Sequence, residues 1–140
     1  MRAASMHGID PFLLSAVLEQ ESAYGEALTP PGPGGKGDGG HGHGVGQIDD
    51  RTWGAWLATN AWWNFEINAT KSAEILASGL KLFRGDLRAG LSAYNAGPSN
   101  VRKALAAGKD PGSVTTHSAS TGLSYPDNTL RRLARLKAFT

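Results

Sequence analysis

Apolar residues recur at helical intervals along most of this chain. Leu14, Val17, Leu18 and Glu21 stand at offsets of 0, 3, 4 and 7, which places them on one face of a helix. Asp10 can cap that helix, Pro11 suits its first position, and Gly25 can stop it after about Tyr24. A longer helix follows Asn64, with Ala69, Ala73, Leu76, Leu80 and Phe83 spaced 4-3-4-3 as one apolar face. Between these, Asp49 or Asp50 can cap a short helix running through Leu57. Asp86 can cap one ending near Gly97, Pro98 opens another ending at Gly108, and Asp127 precedes Leu130, Leu133, Ala134 and Lys137 of a last one. Alternating strand patterns are nearly absent, so the predicted class is mostly α. The run Phe12–Leu18 is short and leads into Glu19 and Glu21, so it reads as a core helix and not as a secretion signal. No apolar run approaches the roughly 18 residues that a membrane span needs.

Composition refines this picture. A chain of 140 residues fits a single domain, here residues 1–140, with a real core. With 40% apolar and 19% charged residues it is not a disordered chain. The absence of cysteine excludes disulfides, thiolate metal sites and a cysteine nucleophile. Nine of the 19 glycines fall between Gly32 and Gly46, which marks one glycine-rich loop. Net charge is only +2 but is unevenly placed. Residues 10–50 hold seven acids against the single base Lys36, and residues 101–140 hold seven bases against Asp110 and Asp127. A basic C-terminal end suits an anionic polymer, although a solvated helix face accounts for it equally simply.

Glu21 is the first candidate for chemistry. At the C-terminal end of an apolar helix face, both its surroundings and the helix dipole disfavour the ionised carboxylate. A carboxylic acid that keeps its proton near neutral pH is what general-acid catalysis requires. The glycine-rich segment adds Asp38 and Asp49, which bracket it, and Gln47, which can both donate and accept. Three carboxylates converging on one cleft would serve glycosidic cleavage, with an acid for the leaving oxygen and a base for water. The plainer reading is a flexible surface loop whose aspartates make turns and cap a helix. His41 and His43 are a weak metal signal with no second ligand cluster, no phosphate-binding Gly-Lys-Ser/Thr follows the glycines, and no aromatics interleave the basic tail as in nucleic-acid binders. No cofactor or metal is expected. Tyr94-Asn95 before Gly97-Pro98 puts a phenol and an amide at a helix end, and Tyr125 heads the last helix similarly. Trp53, Trp56, Trp62 and Trp63 can stack on sugars, but in so small a helical domain they are more simply core.

With these residues in view, the chain resembles the goose-type lysozymes, in the superfamily shared with the soluble lytic transglycosylases. Gly8-Ile9-Asp10-Pro11-Phe12-Leu13-Leu14 through Glu21-Ser22 is similar to the helix that ends in the family's catalytic Glu-Ser. Gly44-Val45-Gly46-Gln47-Ile48-Asp49 resembles Gly-Leu-Met-Gln-Val-Asp, Ser92 to Gly97 is the Ser-Ala-Tyr-Asn-Ala-Gly motif, and Tyr125 to Arg131 resembles Tyr-x-x-Asp-Val-x-x-Arg with Asn128 in the Asp position. The four matches, in order, cover residues 8 to about 135. Three departures stand out: Gly46 replaces a Met and is expected to open the cleft floor, Leu28–Gly35 is a Pro- and Gly-rich insert, and the leading helix is clipped to Met1–His7, as in a domain excised from a longer chain.

The resemblance implies a mostly α, lysozyme-like domain with a glycine-rich active-site loop. It implies a muramidase, a glycoside hydrolase cleaving the β-1,4 bond between N-acetylmuramic acid and N-acetylglucosamine of peptidoglycan with inversion. Glu21 would be the acid, and Asp38 and Asp49 would position water. Gln47, Tyr94 and Asn95 match residues lining the saccharide cleft and Tyr125 one near the acid; His43, on the same loop as Gln47, is grouped with them as a substrate contact. Two alternatives remain: a lytic transglycosylase using the same Glu, whose relatives usually follow the Gln with Met-Pro instead of Ile48-Asp49, and a non-catalytic wall-binding or virion domain. The implied partners are peptidoglycan strands and an anionic wall polymer on the basic C-terminal helix, with neither nucleic acid nor membrane. The implied setting is extracytoplasmic, secreted or phage-associated, and the lack of cysteine staples points to a bacterial or phage source.

Overall fold

The structure, a computed structural model, describes residues 2–139. Its contacts group the chain into two units, Met1–Ala73 and Glu74–Thr140, each treated by itself below.

The first unit opens with α1 (Arg2–Met6) and α2 (Pro11–Ser22). Asp10 caps α2 by accepting from the Phe12 N–H at 2.9 Å, and Pro11 takes the first turn, where its missing N–H costs nothing. Leu14, Val17 and Leu18 are fully buried, as their spacing predicts. The helix ends earlier than the sequence indicates, because Ala23 and Tyr24 already adopt left-handed backbone before Gly25 does.

The glycine-rich segment is not a flexible loop. It folds into a three-stranded antiparallel sheet of β1 (Lys36–Gly37), β2 (Gly42–His43) and β3 (Ile48–Asp49), with Lys36 opposite His43 and Gly42 opposite Asp49. Two-residue strands are too short to show alternation in a sequence, which is why the pattern reading missed them. The sheet is anchored by a side chain from a later element. Asn68, fully buried, accepts from the Gly46 N–H at 2.8 Å and donates to the carbonyls of His43 at 2.9 Å and Trp62 at 3.0 Å. One amide side chain therefore serves three backbone groups, those of Gly46 and His43 in buried bonds and that of Trp62 in a half-buried one. From β3 the chain enters α3 (Asp50–Thr59), capped by Asp49, and then α4 (Phe65–Leu82), which Asn64 caps by accepting from the Ile67 N–H at 3.1 Å. Ala69 and Ala73 of α4 are fully buried.

The second unit takes the rest of α4, then α5 (Leu87–Ala96), α6 (Pro98–Ala106), a 3₁₀ turn at Pro111–Val114 and α7 (Tyr125–Lys137). Ala89, Ala93 and Val101 form its small-residue core, with Phe83 packed against them. Leu76 is fully buried, in keeping with the apolar face read from the sequence. Asp86 caps α5 at the Ala89 N–H, 3.0 Å away. The last helix begins at Tyr125, as the sequence indicates, with Ser124 as its cap and Asp127 inside its first turn. Asp127 instead pairs with Arg88, which also holds Asp110 through Nε and Nη2 at 2.6 and 2.7 Å. Among the described residues no helix is long and apolar enough to cross a membrane.

Candidate active site

Glu21 lies in the last turn of α2 and is half-buried. The next residue fixes its position. Ser22, 2% exposed, donates from Oγ to the Val45 carbonyl at 2.7 Å and accepts from the Gly25 N–H at 2.9 Å. The helix end that carries Glu21 is thereby tied to the turn between β2 and β3.

That turn is built around Gln47, whose backbone is left-handed at φ 53. Its N–H and its Nε2 both donate to the Gly44 carbonyl at 3.0 Å. The Gln47 side chain lies across the sheet so closely that a Cβ at Gly37 or Gly42 would overlap its Oε1, which explains glycine at both strand positions. Gly46 is similarly constrained, because a Cβ there would overlap Ser72 Oγ. The expectation that Gly46 opens a cleft floor is therefore corrected: the space a side chain would take is filled by buried Ser72 and Asn68.

Asp38 and Asp49 are brought together by Arg51, a residue the sequence reading did not single out. Arg51 Nη2 donates to Asp38 Oδ2 at 2.7 Å and to Asp49 Oδ2 at 2.6 Å, and its Nε reaches Asp49 Oδ1 at 2.9 Å. The two carboxylates are not equivalent. Asp49 also accepts from the Arg51 backbone N–H at 2.8 Å, as the cap of α3, and is about one-third exposed. Hydrogen bonding from Arg51, opposed by partial burial, holds its carboxyl below the usual range, and Arg51 is pushed above its own. Asp38 meets Arg51 through one oxygen and is 65% exposed. It sits at φ 51, a strained backbone for a non-glycine residue at a candidate functional site.

The two histidines point to different neighbours. His41 Nδ1 is 2.8 Å from Asp50 Oδ1, whereas His43 is 8% exposed, bonded through Nδ1 to the His41 carbonyl at 2.9 Å, with its ring edge-to-face on Trp62. His43 is thus packed, not presented to a ligand. His41, Asp49 and Asp50 do place ligand-type atoms within 4.8 Å of one another, but these atoms are engaged with each other or with Arg51.

The remaining sequence candidates belong to the second unit. Tyr94 and Asn95 are half-buried in the last turn of α5, and Asn95 Oδ1 accepts from the Thr116 N–H at 2.9 Å. Tyr125 is 2% exposed, with its N–H on Thr115 Oγ1 at 3.2 Å, so it belongs to the interior and not to a turn surface.

The end of the helix that carries Glu21 is thus tied to a small glycine-rich sheet beside two aspartates clamped by one arginine. The sequence matches the Transglycosylase SLT domain over residues 1–114, and the chain belongs to that family. The family lies in the lysozyme-like superfamily with the lytic transglycosylases, and the mostly helical fold with a small sheet agrees with it. Its activity is of the peptidoglycan-cleaving kind shared by lytic transglycosylases and lysozyme-like enzymes, with peptidoglycan as substrate.

Proposed function

We propose that this domain is a muramidase, hydrolysing the β-1,4 bond between N-acetylmuramic acid and N-acetylglucosamine. Glu21 gives its proton to the bridging oxygen as the bond to the anomeric carbon breaks. Water then attacks that carbon from the opposite face and loses its proton to a carboxylate, so the product inverts. Asp38 is the better-placed acceptor because it is exposed and shares only one oxygen with Arg51, while Asp49 orients the arrangement through the same guanidinium. The observation that carries this reading is the Asp38–Arg51–Asp49 clamp. A mechanism in which Glu21 alone serves as acid and then base has no use for two gathered carboxylates.

One observation favours a lytic transglycosylase instead. Asp49 is saturated by Arg51 and has a depressed pKa, which makes it a weak base. In that reading the muramoyl residue's own hydroxyl attacks the anomeric carbon, and its proton passes to Glu21. Mass spectrometry of digested peptidoglycan separates the two. Hydrolysis leaves reducing ends one water heavier than the anhydro ends of a transglycosylase, and anhydro products throughout would overturn the hydrolase. Glu21→Gln should slow either reaction by about 10² to 10⁴-fold. Clearing of cell walls at the parental rate would remove Glu21 from its role, and a stably folded parent that binds walls without cutting them would mark a non-catalytic wall-binding or virion domain.

The same reading sets the chain outside the cytoplasmic membrane, secreted or phage-associated, where its substrate lies. It also gives α7, with Arg131, Arg132 and Arg135 around one cavity, a role in attracting anionic wall polymer. Wall binding that ignores salt up to about 0.5 M would refute that role.

A further inference from the structure

The four tryptophans separate into two pairs with different surroundings. Trp53 and Trp56, half-buried on α3, face the buried Lys71, whose Nζ lies 4.0 and 5.6 Å from their ring centroids. Their faces are occupied from within the fold. Trp62 and Trp63, in the link between α3 and α4, are different. Trp63 is 57% exposed and stands edge-to-face with half-buried Trp62, their centroids 5.9 Å apart. Trp62 in turn packs against the edge of His43 at 4.8 Å, and its backbone carbonyl is fixed by Asn68, the side chain that also holds the glycine-rich sheet. On the other side, a Cβ at Gly34 would touch the Trp63 Cβ at 3.7 Å. Trp62 is thus joined through Asn68 to the same sheet that carries Gln47, and Trp63 stands against it. Lys36 Nζ lies 5.9 Å from the Trp62 ring. It is the single base among residues 10–50, against seven acids, and it sits beside the exposed aromatic pair.

We propose that Trp63 and Lys36, braced by Trp62, form an accessory platform for a carboxylate-bearing glycan. The C–H face of a pyranose ring is apolar and packs on an exposed indole, while the polar edge of the sugar stays in water. Lys36 selects among glycans, because the muramoyl residues of peptidoglycan carry carboxylates on their lactyl group or stem peptide and the sugars of chitin carry none. Such a platform grips the strand where the acid region around it would otherwise repel an anionic polymer. The proposal rests on the family's substrate and not on the role of Glu21.

Co-sedimentation with insoluble peptidoglycan and with insoluble chitin, on ice, in the parent and in the Glu21→Gln background, tests it. Trp63→Ala should weaken binding to both polymers by about tenfold, the loss expected on truncating an aromatic anchor. Trp63→Phe, which keeps a flat apolar face, should retain most of the affinity. Lys36→Met should weaken binding to peptidoglycan and leave chitin unaffected. Unchanged binding of both polymers by Trp63→Ala would overturn the platform, and an equal loss on chitin from Lys36→Met would overturn the charge selection. Turnover by Glu21→Gln would refute the acid assignment and leave these affinities standing.

Discussion

Ser22 Oγ donates to the Val45 carbonyl at 2.7 Å, joining the end of α2 to the turn before β3 across 23 residues of sequence. The same oxygen accepts from the Gly25 N–H, so a single hydroxyl serves two buried backbone groups. Ser22→Ala leaves both unsatisfied, at a cost of about 1–3 kcal/mol. Because the proposed acid Glu21 precedes Ser22, the substitution should also lower kcat beyond what partial unfolding explains, since small misplacements of a group that gives a proton to substrate are costly. Activity measured well below the melting temperature checks this. Parental kcat in a destabilised Ser22→Ala would mean that the bond serves folding alone.

Arg51 gives Asp49 a pH signature. Asp49 orients the proposed base through Arg51 only while it is ionised, and the clamp holds it below its ordinary range, so an arrangement that depends on it persists further into acid. Arg51→Gln should therefore move the acidic limb of the pH–rate profile upward, and Arg51→Lys, which keeps the charge without the two-pronged geometry, should lie between. The same shift has a stability side: the contribution of Asp49 is present above its unfolded pKa of about 3.9 and is lost as pH falls through the lower folded value. For the proposed roles, Asp38→Asn should be the more damaging single change to kcat, and Asp38→Asn with Asp49→Asn more severe than either. An acidic limb that stays in place in Arg51→Gln would separate the clamp from catalysis.

The parts of this molecule legible in the sequence are those set by local chemistry. Asp10-Pro11, Asn64 and Asp86 announced helix starts because capping and proline geometry act within three residues, and the 3.6-residue period of Leu14, Val17 and Leu18 gave their buried face. What stayed hidden depends on distant partners. Arg51 reaches Asp38 across 13 residues, and only its place two residues after a helix-capping aspartate marked it. Asn68 lies among Glu66, Thr70, Lys71 and Ser72 in the first half of α4, and nothing local says that its amide holds a sheet. Asp127 stands ahead of the apolar positions of its helix in sequence, yet Ser124, three residues earlier, is the cap and accepts from the Asp127 N–H, while the Asp127 carboxylate pairs with Arg88.

Gly46 makes a packing prediction. Its missing side chain is replaced by Ser72 and Asn68, both fully buried and fixed by hydrogen bonds, so neither can retreat. Gly46→Ala should destabilise the fold by about 1–3 kcal/mol, and Gly46→Met by more. Adding Ser72→Gly to Gly46→Ala should recover part of the loss despite the poor helix propensity of glycine, giving a favourable coupling in a double-mutant cycle. Additive losses in denaturant titrations would show that the two positions do not compete for space.

Arg88 supplies a second clamp, within the Glu74–Thr140 unit, and its consequence is confined to stability. It holds Asp110 ahead of the 3₁₀ turn and Asp127 in α7, and hydrogen bonding from its guanidinium is the main reason both carboxyls fall below their ordinary range. Groups depressed in the folded state stabilise it above their unfolded pKa, about 3.9, and that contribution disappears as pH falls through the folded values. Arg88→Gln should therefore lower the melting temperature at pH 7, where both pairs are intact. The gap to the parent should hold down to about pH 4 and close below it, as the parent's own aspartates take up protons. All the partners are at least one-third exposed, so raising the salt concentration should narrow the gap as well. Melting curves of both proteins between neutral and acid pH decide it: a gap that stays the same throughout would mean that Arg88 acts by packing its aliphatic stem and not by pairing charge.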